Sequence, residues 1–146
     1  MAIDRRNAGL VVIRICLGVF FIMQAAGKLR WVVDSSILGA QLSQWLMSAA
    51  PGSISQTYLQ RVAVPGTAVF ARLVPLGELV CGAALVAGFS TSLFAFIAFL
   101  MVLNYQVASG AIFAWSFLAN RAGLPVLAST LGLAIGGVRL PWSIRV

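Results

Sequence analysis

The sequence predicts an all-α integral membrane protein, a four-helix bundle with short amphipathic surface helices between its first and second spans. Three observations carry this reading. Of the 146 residues, 61% are hydrophobic and 9% charged, and the mean hydropathy is +1.01. A soluble domain carries about 25% charged residues, so a bilayer is the fitting solvent. Apolar runs at roughly 9–27, 67–88, 91–110 and 122–140 approach the ~20 residues that cross a ~30 Å hydrocarbon core. The basic residues Arg5, Arg6, Lys28, Arg30, Arg121, Arg139 and Arg145 cluster near the ends of those runs, where membrane surfaces place them. The length suits one membrane domain over residues 1–146.

The elements follow in chain order. The first run holds an arginine, Arg14, inside "VVIRICLGVFF", and ends at "GKLRW", where Lys28, Arg30 and Trp31 read as interface anchors. A cleaved signal peptide fits less well than a retained helix, because Arg14 interrupts the apolar core and the run exceeds the usual 7–15 residues. Residues 32–66 are too polar to span. Asp34, Ser35 and Ser36 are capping candidates there, and Leu38, Leu42, Trp45 and Ala49 share one helical face before Pro51-Gly52. Ile54, Tyr58 and Val62 mark a second amphipathic piece stopped at Pro65-Gly66, and both pieces should lie on the membrane surface over one end of the bundle. "GFSTS" turns the second span into the third, and Pro125 suits the first turn of the fourth. Ala128, Gly132 and Gly136 make a small-residue face on that last span, which can pack within the bundle or against a partner subunit.

Orientation is balanced by charge. One side carries Arg5, Arg6, Arg139 and Arg145, the other Lys28, Arg30, Arg61 and Arg121. Arg5-Arg6 before the first span favours termini on the cytoplasmic side of a bacterial-type inner membrane.

Composition also closes off chemistries. A net charge of +7 would suggest nucleic acid in a soluble chain, but membrane-surface placement explains it here and no nucleic-acid partner is expected. With no histidine and two cysteines, Cys16 and Cys81, there is no expected metal site and no acid–base histidine. Cys16 lies about 200° around its helix from Arg14, so a dithiol pair is not expected either. Independent catalysis is disfavoured, and no cofactor is expected through covalent or metal attachment.

What remains is a set of polar residues inside the spans. Glu78 is the one acid in any of them. Counting 1.5 Å per residue from the N-terminal side puts Arg14 at roughly 8 Å and Glu78 at roughly 15 Å. A lone charge at mid-membrane costs ~3 kcal/mol, so an Arg14–Glu78 ion pair is expected. It fixes helix register, lines a pocket for a polar head such as a quinone carbonyl or a lipid headgroup, or serves as a proton relay. Arg14, Gly18, Phe21, Ala25 and Lys28 share one stripe; Ala71, Pro75, Glu78, Gly82 and Leu85 share another. Gly18 and Gly82 should let the two helices approach closely, as Gly132 and Gly136 should on the fourth span. A second polar layer, Gln24, Lys28, Arg72 and Asn104, is expected deeper in, where interhelical hydrogen bonds are its commoner use.

These residues resemble the DoxX family. "RICLGVFFIMQAAGKL" is similar to its first-helix pattern through Arg14, Gly18, Phe21, Gly27 and Lys28, and "GELVCGAALVAGF" to its second signature through Gly77, Glu78, Gly82, Leu85 and Gly88. The terminal "GGVRLPWS" resembles the family's glycine-arginine close without the aspartate that follows it. The resemblance implies a four-helix membrane bundle. Some such proteins are subunits of a thiosulfate:quinone oxidoreductase, others accompany membrane redox assemblies, and relatives with paired cysteines do disulfide chemistry that this chain's cysteines do not match. The leading expectation is a non-catalytic accessory subunit of a larger membrane electron-transfer assembly, with other membrane subunits and lipid as partners. The alternatives are a quinone-binding oxidoreductase subunit, with quinone or structural lipid as its ligand, and a lipid-binding scaffold.

Overall fold

The computed structural model describes residues 5–119, 123–137 and 140, and they form helices without strands. Helix α1 is Arg5–Val33, α2 is Ser36–Ser48, and α3 is Ile54–Tyr58, which runs into a π-helical turn at Leu59–Ala63. Helices α4, Thr67–Ala87, and α5, Thr91–Ala108, are followed by 3-10 turns at Ala111–Phe113 and Trp115–Ala119 and by α6, Leu124–Gly136. Three of these are long and apolar enough to cross a membrane: Asn7–Val33, Thr67–Ala87 and Thr91–Ala108. Arg121, Arg139, Arg145 and Trp142 lie outside the described residues, as do the side chains of Arg5 and Arg6.

The boundaries differ from expectation where no breaker stands. Helix α1 runs through Gly27 and Lys28 to Val33, because nothing from Ala26 to Val32 removes a backbone donor or demands a positive φ. Its 29 residues reach roughly 44 Å, past the hydrocarbon core into the interface. At the other extreme, α6 has 13 residues, about 20 Å, and is short of a full crossing within the described range. Glycine sets the expected stops elsewhere: α4 ends at Gly88, whose φ of 74° is the left-handed conformation of a helix cap, and Gly110 does the same after α5 at 71°.

Two clusters form the core. In the membrane part, Leu17 and Phe21 of α1, Cys81 and Leu85 of α4, Ala95 and Ala98 of α5 and Leu133 of α6 pack together. Helices α5 and α6 are further tied by the Ser92 hydroxyl, which donates to the Ala134 carbonyl. The second cluster lies under the 32–66 segment. Leu38 and Leu42 of α2 with Leu59 and Ala63 of the π turn cover Ala71 of α4 and Ala108 of α5. The segment thus roofs one end of the long helices, as its amphipathic pattern predicts.

The inward face of its second half is one residue away from the expected one. Ile54 and Val62 are exposed, whereas Ser55, Leu59 and Ala63 are buried. The reason is polar. The Ser55 hydroxyl donates to the carbonyls of Val107 and Ala108 (3.3 Å to the latter), two of the last carbonyls of α5, which lack an i+4 partner within the helix. A buried serine reads as outward by hydropathy alone.

Candidate functional site

The meeting of α1 and α4 sets the site. A side chain on Gly18 would begin 2.8 Å from the Gly82 carbonyl and 2.9 Å from the Val86 amide, and one on Gly82 would begin 2.8 Å from the Gly18 carbonyl. Backbone therefore touches backbone at this crossing. Around it, both stripes turn inward: Arg14, Gly18, Phe21 and Ala25 on α1, and Ala71, Pro75, Glu78, Gly82 and Leu85 on α4, are all buried.

That register pairs Glu78 with a different cation from the expected Arg14. Lys28 Nζ donates to Glu78 Oε1, and this is the ion pair found among the described residues. The edges of the apolar runs do not mark equal depths on the two helices. Aligned instead by the glycine crossing, Arg14 and Glu78 lie on opposite sides of it and roughly 15 Å apart along the helix axes. Arg14 is buried and engaged in its own right, about 21 Å along α1 from Lys28. The ammonium also stands 5.8 Å from the centre of the Trp31 ring, a cation–π distance.

Two cavities flank Glu78. The larger, about 370 Å³, lies beneath the roof between α4 and α5, walled by Trp31, Trp45, Tyr58, Phe70 and aliphatic side chains, with Glu78 and Asn104 as polar points. Tyr58 of the roof donates its hydroxyl to Asn104 Oδ1 of α5. Burial raises the Tyr58 phenol above its ordinary pKa, and the bond to Asn104 partly opposes that. The Trp45 ring meets Tyr105 edge-on at 5.1 Å. The smaller cavity, about 150 Å³, is lined by Gln24, Lys28, Glu78, Tyr105 and Gln106 among apolar neighbours. Glu78, Met101 and Tyr105 belong to both walls.

The expected polar residues thus divide. Gln24, Lys28 and Glu78 come together, Asn104 joins them across the larger cavity, and Arg14 stands apart. Arg72 is exposed on the outer face of α4, so it does not enter this layer. It lies about 120° from Glu78 around the helix, and near the start of α4 its long side chain can reach the interface. Gly132 and Gly136 also depart from an inward role. Both are exposed, and among the described residues nothing lies within 4 Å of a Cβ placed on Gly132 and Leu10 alone comes near one on Gly136. Cys16 is exposed and Cys81 buried, both free. The aromatic wall was missed by sequence reasoning because Trp31 and Trp45 sit where interface anchors also sit. Gln106, 1% exposed, was missed with them, although it lies two residues after Asn104 on an apolar helix.

A family model described as DoxX matches residues 9–114, from the start of the apolar part of α1 to the turns after α5. The chain belongs to the DoxX family. The match takes in the glycine crossing, the roof and both cavities. No curated protein and no solved structure matches the chain. This DoxX-family chain is a membrane protein, with the lipid contact that its long apolar helices require.

Proposed function

We propose that this DoxX-family protein is a binding subunit of a membrane electron-transfer assembly, holding a quinone-class molecule between α4, α5 and the roof. The observation that carries the reading is the larger cavity: an apolar, aromatic-walled space of about 370 Å³ with the carboxylate of the ion pair in its wall. Small-molecule sites have this make-up, apolar walls with a few placed polar groups. Trp31, Trp45 and Phe70 offer flat walls for an aromatic ring, Glu78, Asn104 and the tyrosines supply the polar points, and Lys28 holds Glu78 from the smaller cavity. Nothing in the described residues gathers three potential metal ligands, so the subunit is proposed to hold its ligand for a partner that carries the redox centre.

The accessory role is favoured by α6. Its Ala128, Gly132 and Gly136 are all exposed, which leaves a smooth small-residue face open to a helix of another subunit. In this reading α6 completes a four-helix, multi-pass unit in the inner membrane, with the termini on the cytoplasmic side.

The test is binding in lipid nanodiscs. A short-tailed benzoquinone should quench tryptophan fluorescence saturably, because Trp31 and Trp45 line the cavity. Leu100→Trp should weaken that binding at least tenfold, since Leu100 lines the cavity and is 46% exposed at its outer side. Quenching that rises linearly with quinone and is unchanged in the variant would mean membrane partition only, and would end the proposal.

A further inference from the structure

The larger cavity's occupant is constrained by what the carboxylate beside it lacks. Glu78 takes the Lys28 ammonium through Oε1, and its second oxygen, Oε2, is buried without a hydrogen-bond partner among the described residues. The side chain is 10% exposed, yet it contributes to the walls of both cavities. A carboxylate oxygen only accepts, so Oε2 can be satisfied only by a donor. In the adjoining smaller cavity the ammonium carries three protons and spends one on Oε1, which leaves donors for an acceptor on a head group that reaches past Glu78.

We infer that the head group bound here is a neutral hydroxyl that donates to Glu78 Oε2 and accepts from Lys28 Nζ. This rests on the quinone-class reading above and makes it specific: the reduced, dihydroxy ring is held in preference to the dione. A dione offers acceptors only; it answers Lys28 and leaves Oε2 bare. A carboxylate or phosphate head brings a second negative charge against Glu78 in a low-dielectric site and also lacks the donor. The terminal torsion of a glutamate is broad, so a small rotation presents Oε2 to the ligand.

The path to this head site runs through the bilayer. Leu73, Ile97 and Leu100 line the larger cavity and are also exposed on the outer surface of α4 and α5. An apolar tail can therefore remain among the lipid chains while the ring lies inside. Met101 stands in the walls of both cavities and against Gly77, where an added Cβ would come 3.0 Å from its Cε. Its flexible thioether borders both spaces and can move to let a ring hydroxyl in the larger one reach the Lys28 side.

Three short-tailed probes of one ring separate the possibilities when each is titrated by calorimetry, without oxygen, into the full chain in nanodiscs. They are the hydroquinone, the benzoquinone and the hydroquinone dimethyl ether. The hydroquinone should bind at least about tenfold more tightly than either of the others, the scale of one satisfied buried hydrogen bond. In the double variant Lys28→Met/Glu78→Leu that preference should vanish while benzoquinone binding persists. Equal affinity of the three probes for the natural chain, as expected where water already satisfies Oε2, overturns this inference and leaves the proposed function standing. Failure of all three to bind above empty nanodiscs overturns both.

Discussion

Lys28 and Glu78 show how a charged pair can be positioned by residues that carry no side chain. The Gly18–Gly82 contact fixes the register of α1 against α4, and the register decides which cation reaches the acid. Gly18→Ala should therefore destabilise by ~1–3 kcal/mol through overpacking, since the atoms in its way include the Gly82 carbonyl and Val86 amide. Gly132→Ala meets nothing among the described residues and should be neutral or stabilising by up to ~1 kcal/mol. Thermal unfolding in detergent compares the two directly. Lys28→Met leaves a buried, unpaired carboxylate and should cost ~3–5 kcal/mol, with much of the loss recovered on adding Glu78→Leu. A double variant no more stable than the single one would show that Lys28 does not neutralise Glu78. At this scale the sequence made the inward stripes legible, because both follow the helical period. It did not reveal the partner of Glu78. Run edges are blurred by snorkelling and fraying, so helix depth counted from them is out by about one and a half turns.

The elements were legible where punctuation is chemical. Gly88 and Gly110 end α4 and α5 because each holds a positive φ, and Pro51-Gly52 separates α2 from α3. Helix α1 lacked such a mark and overran its expected end. The inward face of the roof was hidden for another reason: Ser55 is buried by bonds to the last carbonyls of α5, a demand made by a distant element. Two tests belong to the roof. Ser53 caps α3 by accepting from the Gln56 amide at 3.1 Å, so Ser53→Ala should cost ~0.5–2 kcal/mol, seen as faster backbone exchange across Ile54–Tyr58. Asp34 accepts from the Ser36 hydroxyl at 2.6 Å and the Ser36 amide at 2.9 Å, which hold its carboxyl below the ordinary aspartate pKa. A lowered pKa means the stabilisation is present above the unfolded value and is lost as pH falls through the folded one. Protection of the amides at the start of α2, measured against their intrinsic exchange rates, should fall on acidification in the natural chain and stay constant over that window in Asp34→Asn.

At the scale of the molecule, composition made the membrane class legible and the order of apolar runs gave the helix sequence. The cavity was not legible, since an empty space is a property of how α4, α5 and the roof meet and no single segment carries its pattern. Its walls draw on five helices and the π turn, from Trp31 of α1 to Ala108 of α5. The central claim is that a quinone-class molecule occupies that space. Photolabelling in native membranes with a short-tailed azidoquinone, followed by peptide mapping, tests it most directly. The account predicts labels on the roof and on the facing parts of α4 and α5, with Trp45, Tyr58, Gly77, Leu100 or Asn104 among them, all suppressed by excess unlabelled quinone. Labels spread over lipid-facing positions such as Val12, Val19 and Met23, undiminished by competitor, would contradict it.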